Sequence, residues 1–271
     1  MTTFCVACVQ TTSSQEISVN IKNVGELVSA AISMGAELIL LPETVNMMEP
    51  RNSMMREKAM KEADDIFLDS LCNIAKDSRV WVLAGSLVVI DKKGQAVNRS
   101  ILIGPEGKVR SRYDKIHMFD VDLGNGEYYR ESKSYDAGNK SVTAALPWGR
   151  LGLTVCYDLR FPYLYRKLAK AGTDFLAVPS AFTRPTGEAH WHVLLRARAI
   201  ENGCYVFAPA QCGIHDGGRE TYGHSLIIDP WGRVLADAGD EIGVIIAEID
   251  QKEVMKARAK IPSLTHGRHI T

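Results

Sequence analysis

The stretch Gly152-Leu-Thr-Val-Cys156-Tyr-Asp-Leu-Arg-Phe-Pro162 decides how the chain is to be folded. Its first half is an apolar run of strand length. Its second half turns polar, and 163–172 then sets apolar residues at helical steps up to Gly172, a suitable stop. A strand that ends on a reactive side chain and passes straight into a helix belongs to an α/β layered architecture. The chain beyond it repeats the scheme, with a strand over 175–179, a helix over 189–202 and a strand over 204–210. A strand over 223–228 then turns at Asp229-Pro-Trp-Gly232, and a last apolar run covers 243–249.

The N-terminal half reads the same way. Strand-length runs at 4–9, 38–41, 80–89 and 99–103 are rich in Val, Ile and Leu on both faces, as strands covered on both sides require. Between them, 17–34 places Ile17, Ile21, Val24, Leu27, Val28, Ala31 and Met34 on one helical face before Gly35, and 59–76 is also helical in pattern. A hairpin over 97–109 folds at Gly104-Pro-Glu-Gly107. No Gly/Ser-rich or Pro-rich linker interrupts the chain, so 1–271 is expected to form a single domain. The segment 261–271, which carries neither period, is expected to be a C-terminal arm.

Bulk composition narrows the function. Among 271 residues, 32 basic side chains balance 32 acidic ones and no stretch collects one sign, so neither nucleic acid nor an anionic membrane is an expected partner. The N-terminus, Met1-Thr-Thr-Phe-Cys-Val-Ala-Cys, lacks the basic start and apolar run of a signal peptide, and no run of about 18 apolar residues exists to span a membrane. A cytoplasmic protein is expected. Its six cysteines lie in apolar neighbourhoods and read as buried thiols. Cys5 and Cys8 form a C-x-x-C, but with no second pair and no nearby His they do not read as a metal or redox site.

Three segments carry candidate chemistry. Leu38-Ile-Leu-Leu-Pro-Glu43-Thr puts a carboxylate directly after an apolar strand, where partial desolvation raises its pKa and suits it to act as a base; the competing reading is a surface Glu capping the next turn. Cys156 stands at a strand-to-helix turn, where backbone N–H groups stabilise a thiolate and later an oxyanion, although a cysteine on an apolar strand is more often a core residue. Arg112-Tyr-Asp-Lys115-Ile-His-Met-Phe-Asp120 sets a lysine, a fixed positive charge, in a loop after the hairpin.

Together these segments resemble the nitrilase, or carbon–nitrogen hydrolase, superfamily. The matching strings are LPET at 41–44, YDKIHMFDVD at 113–122 and VCYDLRFP at 155–162, in the family's order and spacing. The resemblance implies a four-layer α-β-β-α sandwich, a Glu43–Lys115–Cys156 catalytic triad, and a second glutamate that holds the lysine. Tyr129-Arg-Glu131-Ser-Lys supplies Glu131 for that role, with Glu127 the competing candidate. The segments 179–187, 189–201 and 222–232 are similar to the branch that contains the deaminated glutathione amidases and omega-amidases. One departure is His190-Trp191-His192, where the branch often reads His-Trp-Glu; His190 and His192 are two apart on a helix and so diverge, which argues against a shared metal.

The resemblance implies hydrolysis of a small carboxylate-bearing amide through a cysteine thioester, with no metal or organic cofactor and with a homodimer or higher homo-oligomer. Tyr157 would lend its backbone N–H to the oxyanion. Arg160 would meet a substrate carboxylate, unless it pairs with Asp158 or Glu201, and Thr183 would donate a hydrogen bond. A nitrilase proper or an N-carbamoyl amide hydrolase shares the same thioester step, and a binding protein on this fold would keep the architecture without the chemistry.

Overall fold

A computed structural model describes residues 3–124 and 126–268; the first two residues of the N-terminal reading and the last three of the expected arm lie outside the described residues. Two mixed sheets, each with helices on its outer face, form the expected four layers. In the first sheet β1 (Thr3–Gln10), β2 (Leu38–Leu40) and β4 (Trp81–Ile90) run parallel in the middle. Antiparallel neighbours close both sides: β17 (Gly243–Asp250) on β1, and β5 (Ala96–Ile103) then β6 (Val109–Asp114) beyond β4; the short β3 (Met60–Lys61) also pairs with β4. The second sheet repeats this plan. Its parallel centre is β10 (Gly149–Leu153), β11 (Phe175–Ala177) and β12 (Tyr205–Ala208), flanked by antiparallel β9 (Val142–Leu146) on one side and β15 (Leu226–Ile228) then β16 (Val234–Asp237) on the other. Two small ribbons, β7 (Asp120–Asp122) with β8 (Tyr128–Arg130) and β13 (Cys212–Ile214) with β14 (Glu220–Tyr222), stand outside the sheets.

Period-two alternation in β1 and β2 sorts the core. Val6, Cys8, Leu38 and Leu40 face inward and meet Leu151, Leu153, Phe175 and Phe207 of the second sheet, whereas Ala7, Val9, Ile39 and Leu41 face outward to Val24, Val28, Phe67 and Leu71. The outward set is covered by α1 (Ile17–Ser33) and α3 (Ile66–Ser78); the second sheet is covered by α4 (Pro162–Lys170) and α5 (Arg184–Asn202). Two short helices, α2 (Asn52–Lys58) and α6 (Lys252–Lys260), complete the set. No helix among the described residues is long and apolar enough to cross a membrane.

Local chemistry explains where elements depart from their expected limits. The helix expected over 59–76 begins only at Ile66, because Met60 and Lys61 pair with Val89 and Ile90 and the Asp65 carboxylate caps the helix by accepting the Leu68 N–H at 2.8 Å. The helix expected from 189 starts five residues earlier, at Arg184, with Pro185 in its first turn, where the missing N–H costs nothing. The strand expected over 152–156 spans Gly149–Leu153 instead, so Cys156 opens a 3-10 turn, Cys156–Arg160.

Candidate active site

Three of the four site residues leave the C-terminal ends of parallel strands, the edge where ligands bind in open α/β sheets, and the fourth follows the antiparallel edge strand β6. Glu43 follows β2, Cys156 follows β10, Ala181 follows β11, and Lys115 directly follows β6. Thr44 and Cys156 both adopt positive φ, 49° in each case, a sparsely populated region for residues other than glycine. Such strain is kept where the surrounding structure over-determines a functional turn.

Lys115 is buried and held by two carboxylates. Its Nζ donates to Glu43 Oε1 at 2.8 Å and to Glu131 Oε1 and Oε2 at 2.8 and 2.7 Å. Glu131, not Glu127, is therefore the second glutamate at the lysine; Glu127 accepts from the Tyr129 hydroxyl at 2.9 Å instead. Asn98 Nδ2 donates to Glu43 Oε1 at 2.9 Å and Glu131 Oε1 at 3.3 Å, the Phe119 N–H to Glu131 Oε2 at 2.6 Å, and the Ala181 N–H to Glu43 Oε2 at 2.9 Å. The buried charges are thus paired and hydrogen-bonded, as burial demands.

These contacts set the protonation states. Burial works to raise the Glu43 pKa, but the Lys115 charge and hydrogen bonds from Lys115 and the Cys156 thiol together outweigh it and hold the carboxyl below its ordinary value. Burial likewise opposes the charge on Lys115, yet Glu131 and Glu43 keep its pKa well above the usual lysine value. Burial and then the Glu43 charge push the Cys156 thiol up, against the pull of Lys115. The resting site is a neutral thiol beside a charged carboxylate and an ammonium. Such an arrangement can pass a proton from sulfur to a carboxylate.

A buried aspartate ties the nucleophile turn to the lysine loop. Asp158 Oδ2 accepts from the Val155 N–H at 2.9 Å within its own turn and from the Tyr113 hydroxyl at 2.6 Å across the sandwich; Oδ1 accepts from the His117 N–H at 3.1 Å and lies 2.6 Å from His117 Nδ1. Tyr113 and His117 bracket Lys115. The position of the ammonium relative to Cys156 is thereby fixed through one carboxylate.

These groups open on a cavity of about 600 Å³ whose walls include Met47, Met48, Phe119, Tyr129 and Phe182. Tyr157 and Thr183 line it; the Tyr157 N–H has no acceptor among the described residues, and Thr183 Oγ1 lies 2.8 Å from Thr186 Oγ1. Arg160 does not line it. The 3-10 turn carries Arg160 outward, where its guanidinium lies 5.5 Å from the Phe182 ring centroid and 3.3 Å from His190 Nδ1. Neither alternative partner pairs with it, since Asp158 serves Tyr113 and His117 and Glu201 serves Arg198.

Lys115, Arg130, Lys133 and Arg219 are the cations along the cavity wall, and Arg219 is one that sequence reasoning missed. Its Nη2 donates to the Ala181 carbonyl at 2.6 Å, its guanidinium lies 5.4 Å from the Tyr129 ring centroid, and its buried Nε has no acceptor among the described residues. Asn98 was also missed, though a lone amide inside the apolar run Ala96-Val-Asn-Arg-Ser-Ile-Leu-Ile103 was the signal. The Phe119 and Ala181 N–H groups are backbone donors and leave no residue-type signature. His190 and His192 diverge as expected, toward Arg160 and Asp237 respectively.

Comparison with known proteins places the chain in a family. The chain is 43% identical over 271 residues to a deaminated glutathione amidase of Synechocystis, covering 98% of both chains, and 37% identical to that of Mus musculus, covering 97% of this chain and 83% of the other. The crystal structure of the Caenorhabditis elegans NitFhit protein superposes with a TM-score of 0.93 at 34% identity, over 99% of this chain and 66% of that longer one. Saccharomyces cerevisiae Nit3 gives 0.87 at 28% identity, over 96% and 95%. The profile of the family described as carbon-nitrogen hydrolase matches residues 5–259. The chain belongs to the carbon–nitrogen hydrolase family, whose enzymes act on amides.

Proposed function

We propose that this protein hydrolyses a small carboxylate-bearing amide, of the kind represented by deaminated glutathione or a 2-oxo-dicarboxylic acid monoamide, through a thioester on Cys156. The observation that carries the reading is Lys115 clamped between Glu43 and Glu131, 2.7 to 2.8 Å from each, beside a protonated Cys156. Glu43 accepts the thiol proton as Sγ attacks the amide carbon. The new C–S bond leaves the carbonyl oxygen as an oxyanion, which Lys115 and the Tyr157 N–H stabilise. Glu43 returns its proton to the nitrogen as the C–N bond breaks and ammonia departs. It then takes a proton from water, whose oxygen attacks the thioester, and thiol and carboxylic acid are released. Glu131 and Asn98 keep Lys115 and Glu43 in register throughout.

The substrate reading rests on the named activity of the full-length relatives and on the cavity. Arg219, rather than Arg160, is the side chain suited to a substrate carboxylate, because an unpartnered Nε–H at an aromatic wall is a ready donor. We further propose that the chain works as one domain in the cytoplasm, consistent with its six unpaired cysteines. Exposed Tyr163 on α4 and exposed Val193 and Ile200 on α5 support pairing into a homodimer or higher homo-oligomer through that face.

A panel measured by ammonia release tests the activity, comparing deaminated glutathione, 2-oxoglutaramate, glutamine, N-carbamoyl amino acids and simple nitriles. Preference for the first two is expected. Preference for nitriles or N-carbamoyl amino acids would overturn the substrate reading.

A further inference from the structure

Away from the catalytic cavity, three metal-ligating side chains of the described residues converge so that one ligand atom from each lies within 4.8 Å of the others: His192, His224 and Asp237. They come from three elements, α5, the turn into β15, and the end of β16. His192 Nε2 is 3.0 Å from Asp237 Oδ2, and His224 Nδ1 is 2.9 Å from Asp237 Oδ1. Each side chain is partly exposed, so an ion can reach the group from solvent.

The frame behind them is fixed. His224 takes a left-handed backbone conformation, φ 53°, pinned by its N–H to the Gly239 carbonyl at 2.8 Å and by the Trp191 Nε1–H to its carbonyl at 2.7 Å. Trp191, fully buried, is the neighbour of His192. The Gly239 N–H holds Asp237 Oδ1 at 2.9 Å.

Both ring nitrogens of His224 face carboxylates. Its Nδ1 faces Asp237, and its Nε2 faces Asp240 Oδ1 at 3.2 Å. A neutral imidazole carries one proton and can donate to only one of these two carboxylates. Without an ion only an imidazolium could serve both carboxylates; a cation at Nδ1 instead leaves the ring proton on Nε2, facing Asp240. That is the arrangement in which a metal-bound histidine is oriented by an outer carboxylate.

We propose that His192 Nε2, His224 Nδ1 and the Asp237 carboxylate bind one divalent ion of the zinc class, with Asp240 orienting His224. Two imidazoles and a carboxylate suit Zn²⁺, Co²⁺ or Ni²⁺ rather than Mg²⁺ or Ca²⁺, and three protein ligands leave a position for water. The ion would clasp α5 to the 222–240 segment. The two already touch closely, for a Cβ at Gly187 would come within 2.2 Å of Tyr222. Because α5 follows directly on Thr183 in the cavity wall, the ion's role is to seat that wall rather than to take part in amide hydrolysis.

Titration with Co²⁺ alone and Zn²⁺ alone tests this, using the full chain carrying Cys156→Ala so that the reactive thiol adds no second site. One equivalent of Co²⁺ should bind with visible d–d bands and no thiolate charge-transfer band, and Zn²⁺ should displace it and raise Tm. His192→Gln should weaken binding on the order of a hundredfold, and Asp240→Asn at least about tenfold. His224→Asn, a residue tolerated at positive φ, guards against a folding artefact and should also lose the ion. Absence of stoichiometric binding, a thiolate band, or His192→Gln and His224→Asn proteins that bind as tightly as the parent would each overturn the proposal.

Discussion

Replacing Glu131 by Gln removes one charge from the site while keeping its shape, and the structure shows why the exchange is not tolerated. Every face of the Glu131 carboxylate meets a donor: Oε1 takes Lys115 at 2.8 Å and Asn98 at 3.3 Å, and Oε2 takes Lys115 at 2.7 Å and the Phe119 N–H at 2.6 Å. Whichever oxygen becomes NH2, donor is set against donor. The less crowded choice, at Oε1, still confronts the Lys115 ammonium. Breaking a buried ion pair from one side costs about 3–5 kcal/mol, and Lys115 would respond by leaning on Glu43 alone. The ammonium then leaves its place above the reacting carbon, and Glu43 becomes a weaker base. A misplaced oxyanion donor is worth about 2.7–4 kcal/mol, so kcat/KM should fall on the order of 10²- to 10³-fold, mostly in kcat, with a lowered Tm. Steady-state ammonia release gives the rate and thermal unfolding gives Tm. Glu127→Gln is the control, since among the described residues the Glu127 carboxylate accepts from the Tyr129 hydroxyl alone, and the exchange should change either quantity little. A Glu131→Gln enzyme within threefold of the parent, or a larger loss in Glu127→Gln, would refute the reasoning.

Further predictions concern the other parts of the site. Cys156→Ala should abolish ammonia release while circular dichroism stays native, because alanine meets the same backbone strain at φ 49° that cysteine already bears. Asp158→Asn cannot accept from all of Val155, Tyr113 and His117, and should lose about 3 kcal/mol in urea unfolding together with most of its activity; unchanged stability would contradict the tie between the two loops. In pH profiles, Glu43 must be ionised to act. Its depressed pKa keeps it so as pH falls, and the acid limb of kcat/KM should lie below the free glutamate value of about 4.3, with the raised Cys156 pKa placing no alkaline limb near the free thiol value of about 8.5. A limb near neutrality would count against this pairing of charges.

The layers were legible because their periods are strong. Helix 17–34 ends within a residue of its expected limit, and the alternation in β1 and β2 sorts inner from outer core as the pattern requires. Glu43, Lys115 and Cys156 were legible because each ends or follows a strand, and topology gathers such ends at one edge. What could not be seen was direction after a turn. Arg160 looked close to the nucleophile by number, but four residues of 3-10 geometry point it at His190, while Arg219, more than 60 residues later, arrives at the cavity through the β13–β14 ribbon. Limits also moved where a cap or an edge pairing competed with helical pattern, as Asp65 and Met60 do at the start of α3.

The Asp158 bridge has a consequence for how the sandwich is put together. Glu43 and Lys115 ride on the first sheet and Cys156 and Ala181 on the second, so the reacting atoms straddle the joint between two halves of the molecule. Turnover is therefore a gauge of that joint. A slip of one sheet over the other by a fraction of an ångström would part the thiol from its base long before either core opened, and the enzyme would fall silent while still folded.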